Sequence, residues 1–527
     1  MKNFLNPLVL CVLLVFLGMG CSKDNIVSID PITTDDADDN ISNTEFTQTV
    51  QVAFSASGEA TVSGTDADFA VTVSGNDVTI IYTGEEYVMY ELSGSTTDGF
   101  FKLYSAKKQG LTLNGVSITN PNGAAINVQG PTATPNKGKR TFIVLNGDNA
   151  LADGTTYSDT PSTEDEKAVL FGEGQFVFSG TGTLNVTATG KSGIVSDDYL
   201  HFMGDCSITV NMSTSVTVSG SDTLKPACIK GKDYVRMTSG ALTLISTGTG
   251  GKGISIDGNG YFNGGQAEIY AHGSNYGSGG GGGGFPGGGG NSSSSSSVSA
   301  KGIKCDGNLV FTGGRVIVNS LAHEAIEAKG SITVTDGEVV AISQADDAIN
   351  AGSDFTISGG HVFGYSAGND GLDSNGDFYI KGGMVYAIGA SSPEVAIDAN
   401  TEDRKSLYVT GGTIIAIGGL ENGTSGNWSQ SCYSASSWSQ NTWYALTVEG
   451  TTWAFMTPSS GGTPLVVSGA STPTLQTGVS VSNGTSHLEG WLFDSPYITG
   501  GTLVSLSSYT GGNGGGGGPG GGGHGPF

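Results

Sequence analysis

Residues 346–383 read DDAINAGSDFTISGGHVFGYSAGNDGLDSNGDFYIKGG. The stretch nearly repeats itself: DAINAGSDFTISGG, from 347, is followed by DGLDSNGDFYIKGG, from 370, an offset of 23 residues. Each copy opens on acidic residues, continues through a β-rich run and closes on Gly-Gly. Working outward, a pattern x-[GA]-[IL]-x recurs as KGIK (301), EAIE (324), DAIN (347), DGLD (370) and VAID (395). Its central Ile or Leu falls at 303, 326, 349, 372 and 397, in steps of 23, 23, 23 and 25. A second marker follows each time: FTGGRVIVNS, VTDGEVVAIS, ISGGHVFGYS, IKGGMVYAIG and VTGGTIIAIG. Earlier units are looser, as in SGIVSDDYLHFMGDCSITV and ACIKGKDYVRMTSGALTLIS.

Each unit holds two or three short alternating runs between Gly, Asp or Asn turns. Runs this short cannot bury a face alone, but stacked they bury a continuous column of Ile, Val, Leu and Phe. The period is too short for propeller blades, lacks the ladder of leucine-rich repeats and has no helical periodicity. The expectation is an all-β chain: a right-handed parallel β-helix, a solenoid of about 23-residue coils, with a small C-terminal β cap.

The domain plan follows. Residues 1–20 read as a lipoprotein signal peptide, with Lys2 and the apolar PLVLCVLLVFLGMG ahead of Cys21. LGMGC resembles a lipobox in which Cys21 is lipidated, although Gly18 departs from it, and CSKDN resembles the flank of surface lipoproteins. An outer-membrane lipoprotein exposed at the cell surface is expected, meeting the membrane only through this anchor. Residues 21–46 read as an acidic disordered tether, 47–445 as the parallel β-helix, with a Gly/Ser-rich loop at 273–299. Residues 446–510 read as a C-terminal β extension or cap, and 511–527 as a Gly-rich tail. No segment after the leader is apolar for about 18 residues. Cys206, Cys228, Cys305 and Cys432 lack metal-finger spacing and read as buried free thiols.

The 527 residues carry 48 Asp and Glu against 22 Lys and Arg, a formal charge of −26. That balance argues against nucleic acid and favours cations or neutral ligands. In stacked units, equivalent positions lie about 4.8 Å apart. Two before the central Ile or Leu stand Lys252, Lys301, Glu324, Asp347, Asp370 and Val395; one after it stand Ser255, Lys304, Glu327, Asn350, Asp373 and Asp398. Asp346 and Asn369 flank the first column. Like charges about 5 Å apart repel by roughly 3 kcal/mol at an effective dielectric near 20. Oxygen-only ligands suit a hard cation, so Glu324, Glu327, Asp346, Asp347, Asn350, Asp370, Asp373 and Asp398 are candidate ligands of Ca²⁺. A solvated turn ladder is the alternative. Lys301 and Lys304 are expected to pair with Glu324 and Glu327.

GLTLNGVSITNPNGAAINVQG (110–130), LADGTTYSD (151–159) and the repeated D-[DN]-[GA]-[IL] and SGG units resemble a bacterial carbohydrate-binding domain family first described from a secreted clostridial protein. The resemblance covers residues 50 to 420, approximately. It implies a pectate-lyase-like β-helix that binds cellulose and acidic plant polysaccharide, with calcium. The family's DDGI element falls on Asp346–Asp347–Ala348–Ile349 and on Asn369–Asp370–Gly371–Leu372; Glu324 and Val395 depart from it.

A lyase would need a strong base beside the metal. Lys304 is the candidate, its alternative role a salt bridge. His323 and His361 have no nucleophile motif nearby. All five tryptophans fall late: Trp428, Trp438, Trp443, Trp453 and Trp491. Trp443 and Trp453 sit in strand-like runs and suit a cap core, whereas Trp428 and Trp438 stand among Ser, Asn and Gln as candidate sugar-stacking rings. The reading is a non-catalytic, monomeric polysaccharide-binding protein for cellulose or a uronate-rich pectic glycan. A calcium-dependent polysaccharide lyase and an adhesive surface protein without a sugar ligand are the alternatives.

Overall fold

A computed structural model describes residues 36–158, 160–161, 163–277, 297–421 and 427–511. The expected signal peptide, the Cys21 lipidation site, most of the Gly/Ser-rich loop and nearly all of the tail lie outside the described residues. In the DAIN-type units, Ile303–Cys305, Ile326–Ala328, Ile349–Ala351 and Leu372–Ser374 are three-residue strands whose outer residues are buried and whose middle residue faces out. They pair in parallel with Ile303, Ile326, Ile349 and Leu372 in register. Single bridges carry the column on to Ile397 and Leu420. The 23-residue step is therefore the step between neighbouring rungs. These strands end a 12-stranded sheet. Its column runs back through Ile254, Ile229, Ile194, Leu170, Ile126 and Phe101, all fully buried.

The expected open, right-handed β-helix with a small cap does not describe the chain. Fourteen of the 24 strands of the larger sheet close into a parallel barrel. Val88–Thr96 pairs with both Gln109–Asn114 and Ser117–Asn120. Two parallel ladders continue from there, and both end on Leu309–Ser320, which pairs with Asn259–Phe262 and with Gln266–Ala271. A repeat period reports the spacing of rungs; it does not report whether two successive runs merge into one strand that belongs to both ladders. The rung step is also uneven: Gln109↔Thr141 and Thr141↔Phe176 are offsets of 32 and 35. The apolar faces of the barrel strands and of the 12-stranded sheet share one hydrophobic core.

Merging is the task of the Gly-Gly marker. Leu309–Ser320 and Ile332–Ser343 are 12 residues long, and Phe378–Ile388 and Leu407–Ile417 are 11. Pairing slips register beside the glycines, as a bulge that bends a strand does. The second glycine has positive φ each time, +75° at Gly314, +81° at Gly383 and +84° at Gly412. The rungs touch here: a Cβ on Gly383 would lie 2.8 Å from the backbone of Gly359 and Gly360.

Six antiparallel strands between Trp443 and Leu503 form a separate sheet. This sheet buries an outward column of the long strands, Ile317, Val340, Phe363, Tyr386 and Ile415, under Tyr444, Phe455 and Leu492. The free edge after Leu407–Ile417 is closed by Leu465–Ser468, which pairs antiparallel with it, and by Cys432–Ala435, removing an exposed edge. Residues 36–46, within the expected disordered tether, are ordered: Ala37–Asp39 and Ile41–Asn43 are 3-10 turns. Asp39 is buried there against His201 Nδ1 at 2.8 Å and Arg140 Nε at 3.1 Å. The four described cysteines are buried free thiols, as expected.

Candidate functional site

The acidic columns stand on the last rungs of the 12-stranded sheet. Ser255, Lys304, Glu327, Asn350 and Asp373 are register partners. Asp398 follows Ile397 in the next bridge. Glu324, Asp347 and Asp370 precede their strands by two residues and are all buried.

The columns divide into two electrostatic halves. In the upper half, Lys301 Nζ sits 3.0 Å from Glu324 and 2.6 Å from Glu327. His323 Nδ1 contacts Glu324 and lies 2.9 Å from Asp346. Burial alone would lower His323, but Asp346 and Glu324 overcome it and push it up to about 9, so it is a cation at neutral pH. Burial would raise Glu324 and Asp346; His323, joined at Glu324 by Lys301, instead holds both below the usual carboxylate range. Ligand atoms of His323, Glu324 and Asp346 lie within 4.8 Å of one another. Protonated His323 already fills the place of a cation there.

Lys304 departs from its expected role. Its Nζ pairs with Asp306, which Lys329 also reaches at 3.0 Å; Lys301 alone serves both glutamates. Two residues along the strand from Lys304, Asp306 is the nearer acid.

The lower half has no such compensation. Asp347, Asp370, Asp373 and Asp398 have no ion pair among the described residues. Burial, and then Asp346, pushes Asp347 up to about 7. Burial, then Asp398 and Asp347, pushes Asp370 up to about 9. Asp373 is raised well above its usual value by burial and then by Asp347, Asp398 and Asp370. Asp398 is pushed up to about 7 by burial, Glu421 and Glu402. What fixes these groups is neutral. Asn350 Nδ2 donates to Asp347 at 3.0 Å and to Asp373 at 2.7 Å. The Val395 N–H donates to Asp370 Oδ1 at 2.6 Å, and the Asp370 N–H to Asp347 Oδ1 at 3.1 Å. These are desolvated carboxylates held in place by dipoles, without an ion pair among the described residues, and so are costly to charge.

Two contributors escaped the sequence reading. His323 is the counter-ion of the upper half, and its signal was its place beside Glu324 in HEAIE. Glu421 extends the second column, because Leu420 is the next rung after Ile397. GGLE at 418 matches the repeat pattern at one further step of 23. The two candidate sugar-stacking tryptophans are half-buried, not freely exposed. Trp428 donates to Leu407 O at 3.1 Å and stacks on Tyr509, with centroids 6.0 Å apart. Trp438 donates to Gly462 O at 2.8 Å.

The fold and the site define an all-β protein of stacked parallel rungs that carries a buried column of carboxylates. The chain belongs to the family of carbohydrate-binding domain-containing proteins, whose model matches residues 74–348, more than half of it. That span takes in Glu324, Glu327, Asp346 and Asp347; the other candidate ligands lie beyond it. No curated protein matches. A solved structure, described as the polysaccharide lyase-like protein from C. thermocellum in a gadolinium derivative, is similar at 16% identity and a TM-score of 0.33. The likeness covers 63% of this chain and 96% of that one.

Proposed function

We propose that the protein binds a uronate-rich polysaccharide without cleaving it, and that Asp347, Asp370, Asp373 and Asp398, with Asn350, hold a calcium ion where the sugar's carboxylates meet the protein. The observation that carries this reading is the set of four neighbouring carboxylates that are desolvated and have no cation partner among the described residues. All the donors are oxygens, which suits calcium over softer metals. When bound, the ion would supply positive charge to both the aspartates and the sugar acids, which otherwise repel each other. The chain's own part is to orient: Asn350 and the backbone N–H groups of Asp370 and Val395 fix the carboxylates before the ligand arrives. Lipidation of Cys21 would tether the protein to the outer membrane, facing outward.

Binding is favoured over lyase chemistry by where the bases are. Lys304 is engaged by Asp306 and Lys301 by two glutamates. Lys191 is lowered by burial but lies two rungs further back; Lys252 is lowered to about 8 by burial and then by Lys304 and Lys301, towards the range of a general base. It stands three rungs from Asp347, about 14 Å at the usual strand spacing, too far to serve a sugar held there. Retention on a panel of polysaccharides with and without EDTA tests the reading. Polygalacturonate should be held more tightly in calcium than in EDTA, and left uncut. Unsaturated, ultraviolet-absorbing product would establish a lyase, and no retention on any glycan would favour an adhesive role.

A further inference from the structure

A second site of opposite charge is built on different rungs, in the barrel. Val88, Gln109, Thr141 and Phe176 pair in register along one ladder. The residues just before them, Tyr87, Lys108, Arg140 and Gln175, therefore occupy equivalent places on four successive rungs. One position earlier stand Lys107 and Lys139. All six line one cleft of about 320 Å³. Four of the chain's 22 cations thus face one opening in a molecule of net charge −26. Asp38 is the one acid among the residues lining it.

Not all of this charge is spent. Arg140 is committed, with Asp36 at 3.0 Å and Asp39 at 3.1 Å. Lys108 reaches Asp38 only at 3.8 Å, and Lys107 pairs with Glu85, whose side chain is 87% exposed. Such exposed pairs are worth little and exchange readily. Lys139 is exposed and enters none of the ion pairs among the described residues. Tyr87 is 39% exposed, with Lys108 Nζ 5.8 Å from its ring centroid. An aromatic face beside unpaired or weakly paired ammonium groups recognises a ring that carries an acid. The volume lies at the small end of ligand sites, about 300–1,000 Å³.

We infer that this cleft binds the carboxylate or sulfate of an anionic sugar on Lys107 and Lys139, with the sugar ring against Tyr87, and that it does so without a metal. The site is separate from the aspartate columns and stands or falls apart from them. A polyanion is repelled by the protein's overall charge, so retention in EDTA must come from a local site.

The test is affinity electrophoresis of the full chain in EDTA at low salt, in gels holding polygalacturonate, dextran sulfate or neutral dextran. The wild type should be retarded by an anionic polymer and not by neutral dextran. Retention by polygalacturonate alone assigns a uronate, and by dextran sulfate alone a sulfated sugar. K107A/K139A should weaken the interaction by about tenfold, and Y87A should weaken it with the lysines intact. Melting curves establish that the variants fold, and K139E, at an exposed position, gives a second reading of the charge. No retention of the wild type in EDTA, or retention unchanged in K107A/K139A and K139E, overturns the inference. A calcium-dependent gain that survives K107A/K139A belongs to the aspartate columns; loss of that gain alone would sink the calcium reading and leave this site standing.

Discussion

Replacing Asp370 with Asn should stabilise the protein in EDTA and remove most of the stabilisation that calcium gives the wild type. In the metal-free protein, burial and the charges of Asp398 and Asp347 push Asp370 up to about 9, against an ordinary 3.8. A carboxyl raised in the folded state contributes fully below pH 3.8, and its contribution is lost as pH climbs towards 9, by about 1.36 kcal/mol per unit. At pH 7.5 the loss is on the order of 5 kcal/mol, which sets the ceiling for the gain in D370N. Asn keeps an oxygen to accept from the Val395 N–H, so geometry changes little. Calcium narrows the gap. At one hundred times its dissociation constant it would stabilise the wild type by about 2.7 kcal/mol, and D370N by far less. The assay is thermal unfolding of both proteins at pH 7.5, in EDTA and in millimolar calcium. A lower melting temperature for D370N in EDTA, or equal calcium shifts in the two proteins, would refute the reasoning.

Further tests address other parts of the molecule. Gly383→Ala should cost about 2–4 kcal/mol in urea unfolding, from positive φ plus the 2.8 Å approach of the next rung, whereas Gly478→Ala, at φ +69° with open space around it, should cost only about 1–2 kcal/mol. Glu173 is pushed up to about 7 by burial and then by Asp197. Its stabilising contribution is therefore lost as pH rises from 4.5 to 7, and E173Q should be more stable by about 3 kcal/mol at pH 8 and equal to the wild type at pH 4, read from unfolding curves at the two pH values. Lys301→Met leaves Glu324 and Glu327 buried without their lysine and should cost about 3–5 kcal/mol in EDTA by the same measurement. Cys21→Ala should move the protein from the membrane fraction to the soluble one; an unchanged distribution would sink the lipid anchor.

Where side chains repeat in register, the sequence was legible. The steps of 23 between Ile303, Ile326, Ile349 and Leu372 are the pairing registers themselves. The columns built on them contain the residues expected there. Closure of the larger sheet was hidden, because it depends on Val88–Thr96 and Leu309–Ser320 each entering two ladders at once. The C-terminal sheet was half legible: an outward apolar column from Ile317 to Ile415 demanded cover, but nothing local says which segment supplies it. Lys304 was assigned by column alone, and a nearer partner, Asp306, won. Trp428 and Trp438 sit among polar neighbours in sequence, yet their indoles serve packing and backbone hydrogen bonds.

The most direct measurement is a calorimetric titration of calcium into the EDTA-stripped protein, alongside D370N/D373N, each followed by polygalacturonate. The wild type should bind calcium saturably and then take up the polymer more tightly than in EDTA; the double variant should show neither the calcium binding nor that gain. Uptake of polygalacturonate by the wild type that is unaffected by calcium and by loss of both aspartates would contradict the assignment of the aspartate columns.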